Sequence, residues 1–252
     1  MNGRDRTIQD RNSGTVHRMV MHHRLRIRTP GDAAFALGPH MDGGSVERWE
    51  KEGYGDVYAA VMAGNWDDGY DPWDAGSRAR VSFDTHGGLG ACSAFRMWQG
   101  WLSVSRCGPG EGTLLVNPLL RASTAYVLLR PFLRPVRERA EFGDADKGEE
   151  GEWEGYLHED NWVFAGGEEM TSEIQGAVIG HGQELTDEMH PHLELGRTMV
   201  HVPEIKAGDY VAWHCDSTYC FCSPFSFSFV YCHALLCGSL VAFIFFTRTK
   251  YT

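Results

Sequence analysis

The strongest constraint on this chain is its punctuation. Apolar runs of a few residues are cut by glycine and proline corners, and no long amphipathic helix can be drawn. Between Cys92 and Arg106, Trp101, Ser103 and Ser105 alternate with Leu102 and Val104, the period of two expected of a strand. Gly108-Pro109-Gly110-Glu111-Gly112 is a tight corner, and Thr113 to Pro118 is the return strand of a predicted hairpin. Thr198 to Pro203 and Tyr210 to Asp216 are further strands, separated by the turn Lys206-Ala207-Gly208-Asp209. The Gly-rich corner is no phosphate loop, because the spacing is wrong and no Lys follows. Thirty Gly, ten Pro and eight Trp in 252 residues favour strands and turns over a helix bundle. The expected fold is mainly β with some α, a jelly roll or double-stranded β-helix of cupin-like type, incomplete at its ends. Apolar content of 42% is enough for a real core. Helical pieces are expected at Ser45 to Glu50, with Ser45 as N-cap, and at Val57 to Ala63. Ala122 to Phe132 is helix or strand. The polar aromatic loop Asn65 to Asp74 is a lid or a packed surface loop.

Within this frame one triplet carries chemistry. His40 and Asp42 stand two apart, so on a strand both side chains leave the same face. An imidazole beside a carboxylate is two thirds of the facial triad that holds non-haem Fe(II) with open positions. Gly43 and Gly44 let the backbone turn just after the pair. Asp42→Ala is expected to abolish metal binding while barely affecting folding. His190 and His192 are ligands by type, but a turn before a strand is their expected role.

Charge divides the chain unevenly. The net charge is −11, and residues 138–173, with 13 acidic and 2 basic side chains, carry all of it. That block reads as a solvated acidic insertion, and no basic stripe points to nucleic acid. The seven Cys form no zinc-type pair of pairs, and no secretory signal is visible, so reduced thiols in the cytoplasm are expected. Residues 1–29 read as a disordered or incomplete leader, 30–216 as the domain, and 217–252 as an apolar tail. Residues 225–246 contain no Asp, Glu, Lys or Arg, and twenty-two such residues are long enough for a single-pass membrane span. The other reading of that run is a retained intron translated into the chain.

Taken in order, the stretches Gly38 to Glu50, Tyr70 to Asp74, Cys92 to Pro118 and Gly208 to Asp216 resemble the YbiU-like proteins. This is an uncharacterised family of the Fe(II)/2-oxoglutarate-dependent oxygenase superfamily, near its phytanoyl-CoA hydroxylase-like branch. The resemblance covers about residues 24–216. It implies a double-stranded β-helix, Fe(II) and 2-oxoglutarate as cofactors, and hydroxylation of a small molecule. His40 and Asp42 match the first two metal ligands. The family closes its late strand with Trp-His-Cys-Asp-x-x-His, whereas here Trp213-His214-Cys215-Asp216-Ser217-Thr218 is followed by Tyr219. His214 is the candidate third ligand, but it stands five positions early. Positions five apart on a strand face opposite ways, so it needs a change of register. Arg96 is the candidate partner for a carboxylate of cosubstrate or substrate. Trp98, Gln99, Trp101 and Ser103 are candidates for the pocket wall, with core packing as the other role open to each. A broken triad implies the alternative, a catalytically inactive pseudoenzyme, membrane-attached if the apolar tail is a true anchor.

Overall fold

The computed structural model describes residues 6–9, 16–19, 37–88, 93–142, 150–167 and 170–221. Two short strands pair first, β1 (Arg6–Gln9) with β2 (Val16–Met19), inside the stretch expected to be a disordered leader. The centre is a five-stranded antiparallel sheet in the order β8-β3-β11-β5-β9, built from Gln183–Glu184, His40–Met41, Tyr219–Cys220, Leu115–Val116 and Val200–His201. A second sheet pairs β4 (Trp98–Leu102) with β10 (Tyr210–His214). A third pairs β6 (Leu133–Pro135) with β7 (Trp162–Phe164). The helices are few: α1 (Ala59–Met62), α2 (Leu120–Leu129), α3 (Glu150–Leu157) and α4 (Leu195–Thr198). The described chain is thus a mixed structure of small antiparallel sheets with few helices.

Each face of the central sheet has its own core. Met41 turns toward Val127, Leu185, Leu193 and Leu195, a cluster that seats α2 on that side. The ambiguous run around Ala122 becomes a helix because Leu120, Ser123, Thr124, Val127 and Leu128 are all buried, an i, i+3, i+4, i+7, i+8 stripe. Thr124 donates its hydroxyl back to the Leu120 carbonyl at 2.7 Å, which satisfies a buried polar group inside the helix. The opposite face carries Tyr219, which packs with Leu114, Ile205, Val211 and Trp213 and so meets β10. The candidate metal pair lies on this face, toward the β4–β10 sheet. Fully burying a side chain such as Leu114 or Met41, both wholly inaccessible, stabilises the fold by about 1.5–3 kcal/mol.

Several expectations are revised. The strands flanking the Gly108–Gly112 corner do not form a hairpin: β4 pairs with β10, and β5 pairs with β11 and β9. The corner instead carries the chain from one sheet to the other, with Cys107 bridged to Ile205. Its turn is held by Glu111, which accepts the Gly108 N–H at 2.6 Å and receives Arg106. The short helix after Ser45 is a single 3-10 turn, Val46–Arg48, and Ser45 does not cap it. Its hydroxyl donates to the Val178 carbonyl at 2.8 Å instead. The boundary expected at residue 216 falls before β11, which sits in the middle of the central sheet. The acidic stretch is not only a solvated insertion. Tyr156 of α3 is buried, its ring meets Phe142 and Trp162, and Trp162 reaches His192 at 4.7 Å. Among the described residues no helix is long and apolar enough to cross a membrane. Residues 225–246 lie outside them.

Candidate metal site

His40 enters the site from β3, directly opposite Tyr219 of β11 on one side and Glu184 of β8 on the other. Its Nδ1 lies 2.6 Å from the Gly38 carbonyl, which only accepts, so Nδ1 carries the proton. That contact fixes the ring and leaves Nε2 turned toward Asp42, 3.7 Å from Oδ1. His40 Nε2 is buried and has no hydrogen-bond partner. An imidazole anchored through Nδ1–H to a backbone carbonyl, with Nε2 bare, is how histidine is held for a metal. At 3.7 Å apart the two atoms are close enough for one cation to reach both. The donor types, the separation and the unpaired buried nitrogen all fit a mononuclear ion. Gly43 and Gly44 make the turn that follows, at φ +86° and +85°. A Cβ on Gly43 would stand 2.8 Å from the Tyr54 hydroxyl, and one on Gly44 2.6 Å from the Phe83 carbonyl oxygen.

The third group at the pair is Tyr219. Its hydroxyl hydrogen-bonds Asp42 Oδ2, and its ring centroid is 4.2 Å from that of His40. Burial, and then the Asp42 carboxylate, push its hydroxyl pKa well up, against the opposing influence of Trp213 and Arg96. Sequence reasoning marked position 219 only as the place where a histidine was missing. The register that puts Tyr219 beside His40 was not visible in a two-residue strand.

The other predicted site residues divide between two faces. His214 stands opposite Trp98 across β10 and β4, and both rings meet Trp73, at 5.4 Å and 5.5 Å. Gln99 and Trp101, one and three residues further, lie opposite Trp213 and Val211 on the other face. Trp101 and Trp213 are in ring contact at 5.5 Å, and Trp213 touches Tyr219 at 4.9 Å. So Gln99 and Trp101 turn toward the His40 side, and Trp98 turns away. The strand's period of two separates Trp98 from Gln99 and Trp101. Ser103 is buried and donates to the Ser105 carbonyl at 2.7 Å, a turn-forming role. Gln99 is buried with both amide atoms unpartnered, the kind of group that waits for a ligand or water. Arg96 lies over the Phe83 ring at 5.8 Å and within electrostatic reach of Tyr219.

His214 belongs to a different cluster. Its ring nitrogen, the Cys215 thiol and the Asp216 carboxylate lie within 4.8 Å of one another, and no other such trio of His, Cys, Asp or Glu occurs among the described residues. His214 therefore does not join His40 and Asp42. Its trio is poorly suited to a cation. Asp216 receives Arg78 at 2.7 Å, Tyr58 at 2.7 Å and Tyr70 at 3.0 Å, with Arg48 at 3.8 Å. Burial alone would raise the Asp216 pKa, but Arg78, His214 and Arg48 together hold it well below the usual carboxylate range. Two buried guanidiniums already neutralise the carboxylate, and burial raises the Cys215 thiol far from thiolate.

This network poses the candidate site. Arg48 is buried and donates to the carbonyls of Asp42 at 2.5 Å and Gly44 at 2.9 Å, and its remaining reach is to Cys215 and Asp216. It ties the backbone of the metal pair to the end of β10. Neither Arg48 nor Arg78 was marked by the sequence, because nothing in a lone Arg foretells full burial. His190 is likewise wholly buried, and burial, then Arg130, push its pKa down to about 3. His192 accepts no such isolation, since its Nε2 donates to the Leu157 carbonyl at 3.0 Å.

A small pocket of about 330 Å³ lies elsewhere, lined by Trp66, Pro72, Trp73 and Leu119 to Ala122. None of the candidate site residues lines it.

Fold and site together define a β-rich protein in which a buried histidine and a half-buried aspartate, two residues apart, face each other. The chain belongs to the Gig2-like family, which it matches over residues 7–223. It is 35% identical over 193 residues to the uncharacterized protein YbiU of Escherichia coli (strain K12), covering 77% of this chain and 37% of that one. Among solved structures it is similar to the GlcNAc inducible gene 2 protein of Candida albicans, with a TM-score of 0.61 and 34% identity over 80% of this chain and 38% of the other. It is similar also to a putative oxidoreductase from Salmonella typhimurium LT2, with a TM-score of 0.55 and 32% identity over 77% of this chain and 37% of that one. The chain thus spans under two fifths of the length of these relatives. The family match begins and ends beyond the stretch of about 24–216 expected from the motifs, taking in β2, β11 and all of β1 but Arg6.

Proposed function

We propose that this chain carries the metal-binding core of an oxygenase of the Fe(II)/2-oxoglutarate type, on a jelly-roll or double-stranded β-helix scaffold. The observation that carries the reading is His40 Nε2, buried, unpaired and aimed at Asp42 from a ring already anchored on Gly38. His40 and Asp42 would hold the ion, which when bound supplies the oxidative chemistry that no protein side chain has. The likeness to a putative oxidoreductase agrees with this class. Arg96 is the cationic group for the carboxylate of 2-oxoglutarate or substrate. Gln99 and Trp101 wall the space on the β4 side and exclude water from it. Arg48 fixes the turn on which Asp42 rides, so the pair keeps its spacing without the ion. The substrate is a small molecule, the compartment the cytoplasm.

A second reading is favoured by one observation. His214 stands with Cys215 and Asp216 and not with the pair, so the histidine expected to close the triad is absent from it. On that reading the chain binds iron weakly and is a pseudoenzyme. Anaerobic equilibrium dialysis with Fe(II) separates the two. One equivalent bound by the chain, tighter with 2-oxoglutarate present and lost in Asp42→Ala that still folds, supports the oxygenase core. Binding that is absent, or unchanged in Asp42→Ala, refutes it.

A further inference from the structure

We propose that Tyr219 supplies the third protein donor to an ion held by His40 and Asp42, giving this chain a His/Asp/Tyr site in place of a two-histidine one. The inference rests on the metal reading above and names the residue that completes it.

Three observations carry it. First, the register places Tyr219 directly opposite His40 in an antiparallel pair, so both side chains leave the same face. A residue in that position is the cross-strand neighbour able to complete a set begun by positions i and i+2. Second, the Tyr219 hydroxyl already touches Asp42 Oδ2, and its ring lies against His40. Two oxygens that share one ion sit about 3 Å apart, so coordination asks for little movement. Third, no other His, Cys, Asp or Glu among the described residues joins the pair closely enough to make a three-ligand group. Among the described residues, a phenol oxygen is what the fold offers beside the pair.

The chemistry follows from the donor types. As the metal–oxygen bond forms, the Tyr219 O–H bond breaks and the proton leaves to solvent, with no change of oxidation state. The protein then presents two hard anionic oxygens and one imidazole. That set suits a small trivalent ion better than Fe(II), for which two imidazoles and one carboxylate are the usual match.

The test is a titration of the full chain with ferric nitrilotriacetate, read by visible absorption and resonance Raman, beside an anaerobic Fe(II) titration read by dialysis. A phenolate on Fe(III) absorbs visible light, which a His/Asp site does not. The expected result is one equivalent of Fe(III) with a visible band and tyrosinate vibrations. Both are lost in Tyr219→Phe, which keeps the ring against His40 and Trp213, and both persist in His214→Ala. Tyr219→His is expected to bind Fe(II) at least 10-fold more tightly than the parent, without the band. Suppose the parent binds Fe(II) through His40 and Asp42 with no band, and Tyr219→Phe weakens it only 10–100-fold. Then Tyr219 merely orients Asp42 and the inference fails, while the metal site stands. If the folded parent binds neither ion, both fail together.

Discussion

Asp42 has two tasks, and its replacement tests both. Besides facing His40, it accepts the buried Tyr219 hydroxyl. Asp42→Ala therefore removes more than a ligand, because it leaves that hydroxyl without its acceptor in the core. The expectation that folding would barely change is revised: the variant should lose about 1–3 kcal/mol of stability along with metal binding. Urea denaturation checks it, and Asp42→Ala combined with Tyr219→Phe should recover much of the loss. At the neighbouring turn, Gly43→Ala places a Cβ where the Tyr54 hydroxyl and Phe83 ring stand, at a φ of +86°. A loss of about 1–3 kcal/mol is expected from the left-handed conformation alone, more if Tyr54 cannot shift.

At the scale of elements, the Arg48–Asp216–Arg78 network joins the turn after β3 to the end of β10 and to the loop that carries Tyr70. Removing one member leaves charge buried without compensation. Asp216→Asn should cost about 3–5 kcal/mol, seen as a lower denaturation midpoint. Arg48→Met should cost a similar amount and also weaken metal binding in the fraction that folds, because the carbonyls of Asp42 and Gly44 lose their donor. How far such elements were legible depended on where their partners lie. The alternation around Trp101 and Tyr210 marked β4 and β10, and the His-x-Asp spacing marked a pair that the structure does bring together. The pairing itself did not show: β4 finds β10 more than a hundred residues away, and β11 is only two residues long. Periodicity cannot declare strands so short. The buried arginines were equally silent, since their burial is set by Asp216 and not by their own sequence surroundings. The separation of Trp98 from Gln99 and Trp101, by contrast, is legible from the two-residue period of a strand alone.

For the whole molecule, the buried histidines set the response to acid. Burial lowers the His214 pKa to about 4, from 6.5, and that of His190 to about 3. Both bind protons more readily in the unfolded chain, so their effect on stability is nil above about pH 6.5 and grows as pH falls toward their folded values. For His214 alone the loss reaches about 3 kcal/mol by pH 4. Asp216, held low, keeps its contribution above the ordinary carboxylate range and loses it only in stronger acid. Unfolding free energy should therefore fall between pH 6.5 and 4, and His214→Phe should flatten that slope. A slope unchanged in the variant would show that His214 is not the group responsible.

Everything proposed for the site depends on His40 being anchored through Nδ1 with Nε2 free to take a metal. Nitrogen-15 NMR of histidine-labelled protein reads both nitrogens directly, with His40→Gln assigning the signals. A protonated Nδ1 and a bare Nε2 are expected for His40 in the metal-free chain. Diamagnetic Zn(II), added at one equivalent, is expected to shift Nε2 and leave Nδ1 protonated. A proton on Nε2, or a His40 spectrum indifferent to the metal, would contradict this.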